Sequence, residues 1–293
     1  MSEQKAMLDD IRREIDTVDN QLHDLIMQRF SLSKRIAEAK AGGEANGSIP
    51  LAQSLRPGRE AAIIRRLLAR HEGATPPAVI VRVWREIVTA SLQLQTPLSV
   101  EIFGGETPNE IWEMTRNYFG GLVPVQEHAS AREVLRDLSN GDCNFAVLPV
   151  PQQDERDPWW PQLSTLRAGT PRIVALLPFI GPHEGPSAFL VAAVEPDDGD
   201  EMTSVFTLVS TQPLSRNRVN GWLDDPRLRG HCLATVGYDS ADQQYLHLLT
   251  FEGLRTVGDP VFEELGHLSG GALREPTFIG AYPEPIILES AAR

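Results

Sequence analysis

The chain has 293 residues and a mass of 32.4 kDa, which exceeds one typical domain, so we expect two or three domains with separate cores. The first 95 residues carry 14 basic and 12 acidic side chains, whereas the remainder carries 13 and 28. This acidic remainder argues against nucleic acids and anionic membranes as partners.

Location and metal chemistry follow from what the sequence lacks. No apolar run approaches eighteen residues and the N-terminus is polar, so we expect a cytoplasmic protein. Two cysteines, Cys143 and Cys232, form no disulfide framework, and no Cys or His pair has metal-ligand spacing. We therefore expect no disulfide, no metal and no cofactor.

The N-terminal segment has the periodicity of one long amphipathic helix. Its apolar residues recur at alternating steps of three and four, without Pro or Gly before Gly42. These residues are Leu8, Ile11, Ile15, Val18, Leu22, Leu25, Leu32, Ile36 and Ala39.

Cations interrupt this apolar seam. Arg29 and Lys40 fall where the seam calls for an apolar residue, and a buried cation needs an anion. They lie eleven residues apart, about 20° out of register and about 16 Å along the axis, so both could close on one small anion. A buried ion pair, such as Lys40 with Glu60, is the alternative.

Arg12 lies too far from these two cations to share their ligand. It precedes Arg29 by about 25 Å along the helix. If it binds an anion too, it serves another pocket, most simply one in a partner subunit.

Two further helices complete the N-terminal part. The Gly-rich residues 41–50 indicate a loop, Pro57 begins a helix to about residue 72, and Thr75 caps a third helix that runs to about residue 95. Four polar residues on these helices are candidates for a site, although singly each is more typical of a solvated or capping residue. They are Arg59, Glu60, Ser91 and Gln95.

Taken together, residues 5–95 resemble the all-helical (AroQ-type) chorismate mutase domain found at the N-terminus of bifunctional chorismate mutase/prephenate dehydratases. The matching segments are IRREIDTVDNQLHDLIMQR, IAEAK, RPGRE and IVTASLQLQ. The resemblance implies an intertwined homodimer that rearranges chorismate to prephenate.

The resemblance also assigns roles to the candidate residues. Arg12 binds a carboxylate in the partner's pocket, Arg29 binds one in its own, and Ser91 supports a carboxylate. Lys40 and Gln95 face the ether oxygen, and Lys40 also contacts a carboxylate. Glu60 binds the ring hydroxyl and Arg59 is a supporting arginine. The chain departs from the family at Arg56, where an Asp is frequent, and in a longer connection between Lys40 and Arg59.

After Pro97 the pattern changes to short strands alternating with helices, which predicts a small α/β unit with a parallel sheet. Beyond the acidic segment PDDGDE (196–201), the predicted order βαββαβ is the ferredoxin-like arrangement. We therefore expect three domains: a mutase domain (1–96), an α/β domain (97–196) and a βαββαβ domain (197–293).

These last two domains resemble prephenate dehydratase and its ACT domain without their key residues. Pro151-Gln152 follows GDCNFAVLPV where the family has Glu-Asn, and Ser187-Ala188-Phe189 replaces the catalytic Thr-Arg-Phe. The strands YLHLLTFEG and FIGAYPEPI look ACT-like but lack the phenylalanine-binding motifs. The resemblance therefore implies a truncated dehydratase-like unit and an ACT-like module in a structural or regulatory role.

The sequence leaves three alternatives to a monofunctional chorismate mutase. The first is a bifunctional mutase and dehydratase, the second is a non-catalytic small-molecule sensor, and the third is a mutase that acts on isochorismate or an amino analogue. An amino-acid effector and a partner enzyme are also left undecided.

Overall fold

The computed structural model describes residues 2–40, 51–153, 155–165, 169–181, 184–239 and 244–288. The predicted long helix is confirmed as α1 (Ser2–Lys40), 39 residues without a break. The predicted loop 41–50 lies outside the described residues. The other helices before Pro97 are α2 (Leu51–Ser54), α3 (Pro57–Ala69) and α4 (Pro77–Gln93). Of these, only the four-residue α2 was not predicted.

The chain forms two compact units. The helical unit consists of Met1–Ser54 and Ile87–Pro97, and the α/β unit consists of Leu55–Glu86 and Leu98–Arg293. This division cuts through α4, so it differs from the three domains expected from sequence, whose boundaries stay a prediction.

The apolar stripe of α1 is exposed to solvent. Its eight large side chains keep between 41% and 61% of their surface accessible in the single chain. They are Leu8, Ile11, Ile15, Val18, Leu22, Leu25, Leu32 and Ile36. The described part of one chain therefore does not cover the stripe.

The α/β unit is built on one nine-stranded sheet in the order β2-β1-β3-β6-β4-β10-β7-β9-β8. Its strands are β1 (Val100–Ile102), β2 (Val125–Glu127), β3 (Phe145–Pro149), β4 (Arg172–Leu177), β6 (Ala188–Ala192), β7 (Met202–Ser210), β8 (Gly230–Asp239), β9 (Gln244–Glu252) and β10 (Arg274–Pro283). Two short strands, β5 (Ile180–Gly181) and β11 (Ile286–Ile287), pair separately. The helices are α5 (Pro108–Phe119), α6 (Ala131–Asn140), α7 (Arg216–Leu223) and α8 (Pro260–Leu268).

The prediction of a parallel sheet is wrong for part of the α/β unit. Strands β2 and β3 run parallel to β1, but β6 is antiparallel to both β3 and β4. A parallel return needs a crossover connection, usually a helix. Among the described residues between β4 and β6 the two-residue β5 is the one regular element, which leaves no helical crossover, so β6 runs the opposite way.

The predicted βαββαβ order is confirmed by β7-α7-β8-β9-α8-β10, whose antiparallel strands stand in the order β10-β7-β9-β8. This part joins the first through a parallel pair in which Gly280 faces Ile173. Residues 196–201 therefore connect two parts of one sheet.

The predicted loop at 151–170 contains a short 3-10 helix, Trp160–Ser164. Trp159 and Trp160 are buried there, in a core cluster that also includes Phe189 of β6. Their large apolar surface accounts for the packing of the 3-10 helix against this core.

Candidate active site

In the helical unit, Arg29 of α1 reaches the C-terminal part of α4. Its Nη1 donates to the Ser91 hydroxyl oxygen and to the carbonyl oxygen of Ile87, the latter at 3.4 Å. The Ser91 hydroxyl in turn donates to the Ile87 carbonyl at 2.7 Å. Ser91 is buried and Arg29 is half-buried, so this cation is oriented by α4.

Gln95 joins this pair from just beyond the end of α4. Its Nε2 donates to the Ser91 carbonyl at 3.0 Å, and its buried Oε1 has no hydrogen-bond partner within the described ranges. The structure thus brings together three of the predicted residues: Arg29, Ser91 and Gln95. An amide with one donor engaged retains a second N–H that can be offered to a ligand.

Lys40 and Arg12 lie on the same helix, on either side of Arg29. Lys40 is the last residue of α1 and is exposed. The Arg12 side chain is 73% exposed and pairs with Asp9 at 3.1 Å. Since α1 is continuous, the separations expected from sequence hold, about 16 Å from Arg29 to Lys40 and about 25 Å from Arg12 to Arg29.

In the α/β unit, Glu60 forms a buried ion pair. It lies in the first turn of α3 and accepts a hydrogen bond from Arg85 Nη1 at 2.8 Å. Arg85 is 4% exposed, donates through Nε to the Tyr118 carbonyl at 2.9 Å, and stacks 3.7 Å from the Tyr118 ring centroid. Burial raises the pKa of the Tyr118 hydroxyl. Glu60 is thus an oriented carboxylate with a compensating cation.

Arg85 was missed by the sequence analysis, although the signal was present. It follows Val81 by four residues and precedes Val88 by three, both buried, so it is a cation within an apolar seam, as Arg29 is. The alternative of a buried ion pair between Lys40 and Glu60 stays a prediction, and the structure shows Glu60 paired with Arg85.

Arg59 has an exposed side chain, and its backbone helps to begin α3. The N–H groups of Gly58 and Arg59 donate to the two carboxylate oxygens of Asp197, at 3.0 and 3.2 Å. An anion at a helix N-terminus satisfies orphan donors and complements the helix dipole. The acidic segment at 196–201 therefore caps α3, which a sequence pattern does not reveal.

The residues that replace the dehydratase motif lie at and beside β6. Ala188 is fully buried, so its position supplies a methyl group to the core where the resemblance expects an arginine. The Ser187 carbonyl accepts a hydrogen bond from the Val150 N–H at 2.9 Å, as an ordinary residue at a strand edge does.

Comparisons with known proteins agree with the helical part of this description. Residues 11–96 match the family model of chorismate mutase type II, which confirms the resemblance of the N-terminal helices. The chain is 30% identical over 145 residues to the bifunctional chorismate mutase/prephenate dehydratase of Pseudomonas aeruginosa, covering 50% of this chain and 39% of that protein. The chain thus spans well under half the length of this relative.

Two solved structures are similar at low identity. One, titled GqqA, a novel type of quorum quenching acylases, covers 64% of this chain and 95% of its own at 16% identity and a TM-score of 0.43. The other, prephenate dehydratase from Streptococcus mutans, covers 63% and 97% at 13% identity and a TM-score of 0.39. With TM-scores below 0.5, neither identifies a function for this chain.

The first prediction concerns the buried ion pair. Arg85→Met should lower the free energy of unfolding by about 3–5 kcal/mol, because it removes the buried guanidinium that donates to the Glu60 carboxylate. The double variant Glu60→Met/Arg85→Met should recover most of this loss, and Arg82→Met, which changes an exposed arginine on the same helix, should stay within about 0.5 kcal/mol of wild type. Urea unfolding followed by circular dichroism measures all three; a loss below about 1 kcal/mol for Arg85→Met would show that Glu60 does not depend on this cation.

Proposed function

We propose that this chain is a chorismate mutase that converts chorismate to prephenate in aromatic amino acid biosynthesis. The observation that carries the proposal is the Arg29 guanidinium held against Ser91 beside Gln95, inside the region that matches the chorismate mutase family. A cation and a neutral donor fixed close together suit a dianionic substrate with an ether oxygen.

The proposed chemistry needs only positioning and electrostatics. The reaction is a unimolecular rearrangement in which the ether C–O bond breaks while a C–C bond forms, without a nucleophile, metal or proton transfer. Arg29, supported by Ser91, holds one carboxylate, and Arg12 of the partner subunit holds the other. This fixes the flexible substrate in its reactive conformer.

Lys40 and Gln95 are the donors that we assign to the developing negative charge on the ether oxygen. Removing one such donor typically costs about 3–4 kcal/mol of barrier. Gln95 acts as a neutral amide, so its contribution persists at neutral pH. Glu60 is assigned to the ring hydroxyl and Arg59 to the edge of the pocket, and the hydrogen bond from Arg85 orients the Glu60 carboxylate.

We infer a homodimer joined through α1. The apolar stripe of α1 is about half exposed in a single chain, and a second copy of the same helix is the simplest surface to cover it. Such an arrangement also carries Arg12 into the partner's pocket, which its distance from Arg29 requires.

The α/β unit is proposed to serve a structural or regulatory role, with residues 197–293 as an ACT-like module. A dehydratase needs cations for two carboxylates and a group that assists departure of the ring hydroxyl. Buried Ala188 offers neither.

A cytoplasmic location is part of the same proposal. Cys143 and Cys232 are both buried and free, which suits a reducing compartment. No helix in the described portion of the chain is long and apolar enough to cross a bilayer.

The second prediction tests the ether-oxygen donor. Lys40→Ala should lower kcat/KM for chorismate more than tenfold, because it removes a cation that we assign both to a substrate carboxylate and to the charge developing on the ether oxygen. The assay follows loss of the ultraviolet absorbance of chorismate, with circular dichroism to verify folding. Lys34→Ala, an exposed lysine on the same helix, is the control and should retain wild-type turnover. A Lys40→Ala enzyme with more than a tenth of wild-type kcat/KM would exclude this role for Lys40.

The third prediction tests whether Arg12 acts in the pocket of the partner subunit. Arg12→Ala and Arg29→Ala chains should each be nearly inactive, but a heterodimer of the two contains one pocket free of both changes. Activity should therefore return to roughly half the wild-type value per heterodimer. If heterodimers are isolated by two affinity tags and remain inactive, each pocket takes both arginines from one chain. That result would disprove the proposal that Arg12 acts in the partner's pocket.

The fourth prediction concerns the α/β unit. Wild-type protein supplied with prephenate near neutral pH should form no phenylpyruvate beyond the uncatalysed rate, because Ala188 stands where the Thr-Arg-Phe motif has its arginine and Ser187 replaces the threonine. The measurement is the absorbance of phenylpyruvate in alkali over time. Enzyme-dependent formation that Ser187→Ala abolishes would instead establish a bifunctional enzyme.

A further inference from the structure

Three metal-ligating side chains that play no part in the proposed mutase site converge in the α/β unit. They are Glu101 of β1, His128 just after β2, and Asp137 of α6, and one ligand atom from each lies within 4.8 Å of the others. We propose that Glu101, His128 and Asp137 bind a divalent transition-metal ion, with Zn²⁺ as the best fit.

The geometry between Glu101 and His128 is the main support. Glu101 Oε2 and His128 Nε2 are 3.2 Å apart, yet both atoms are buried and neither makes a hydrogen bond with any described residue. Two ligands bound to one tetrahedral Zn²⁺ at about 2.0–2.1 Å stand roughly 3.3–3.4 Å apart. The two atoms therefore have the separation of ligands on a shared ion.

The ligand side chains are largely buried, and a buried carboxylate is unfavourable unless a cation compensates its charge. Glu101 is 8% exposed, and the side chains of His128 and Asp137 are 14% and 15% exposed. Asp137 also pairs with Arg136, but that side chain is 63% exposed and its charge is largely screened. An ion between the two carboxylates and the imidazole would compensate Glu101 and Asp137 together, whereas Arg136 pairs with Asp137 and His128 lies against Glu101.

The fold holds the three ligands on rigid elements. The backbone N–H of His128 donates to the Ile102 carbonyl at 2.9 Å, which fixes His128 beside β1. Helix α6 begins at a capped N-terminus, where Ser130 accepts from the Glu133 N–H, and packs on β1 and β3. A bound ion would tie β1, the edge strand β2 and α6 together.

The donor set selects the class of metal. One imidazole nitrogen with two carboxylate oxygens is a set of intermediate ligand softness, which suits Zn²⁺. Mg²⁺ and Ca²⁺ prefer oxygen ligands alone. Three protein ligands are assigned, because the side chains whose ligand atoms converge within 4.8 Å are Glu101, His128 and Asp137.

The sequence expectation of no metal rested on ligand spacing. Glu101 and His128 are 27 residues apart, and nothing in the chain marks them as a pair. Only the parallel register of β1 with β2 brings them together. The site is independent of the proposed mutase activity.

The experiment uses the full chain after chelator treatment and removal of the chelator. Titration calorimetry with Zn²⁺ should show one saturable site per chain, and a hundredfold excess over Kd should raise Tm by roughly 5–10 °C. Co²⁺ should give a visible absorption band that Zn²⁺ displaces. Glu101→Gln and His128→Ala should abolish both signals.

Two further variants separate binding from folding. Asp137→Asn changes a ligand with little change of shape and should weaken Zn²⁺ binding at least about tenfold. His267→Ala removes an exposed histidine of α8 and should bind as wild type does. Absence of saturable binding to wild type, or a Zn²⁺-dependent shift in Tm that survives both His128→Ala and Asp137→Asn, would overturn the proposal.

Discussion

The apolar stripe of α1 is the constraint on which the helical unit depends. A helix of 39 residues is about 58 Å long, and eight large apolar side chains along it stay about half exposed in one chain. Covering them would contribute on the order of 10 kcal/mol, and a second copy of the stripe contributes as much again. Association costs roughly 4–15 kcal/mol, so two stripes together exceed the cost where one alone would be marginal. This balance favours the dimer that we propose.

The cations within this apolar surface connect stability with the proposed catalysis. A guanidinium near a hydrophobic interface is unfavourable unless its donors are satisfied, and Arg29 is held by Ser91 and the Ile87 carbonyl. The same fixed orientation is what a carboxylate of a flexible substrate requires. In the α/β unit the buried Arg85 likewise donates a hydrogen bond to the buried Glu60 carboxylate and orients it.

Features set by local periodicity were predictable from the sequence. The 3.6-residue pattern predicted α1, and the family resemblance grouped Arg29, Ser91 and Gln95, which the structure brings together. The direction of β6 was not predictable from its own residues, because it depends on the short connection from β4. The contact of Asp197 with the start of α3 was also not predictable, and neither was the contact of Glu101 with His128. Both contacts join residues that are distant in sequence, so no local sequence pattern indicates them. Arg85 is different, since its apolar neighbours could have identified it.

The most direct test is the mass of the species that turns over chorismate. Active-enzyme sedimentation layers a small amount of protein on a chorismate solution and follows the moving boundary of chorismate loss. A mutase pocket built from two chains predicts that this boundary moves with a mass of twice 32.4 kDa. Turnover that sediments as a single chain of 32.4 kDa would contradict the shared pocket.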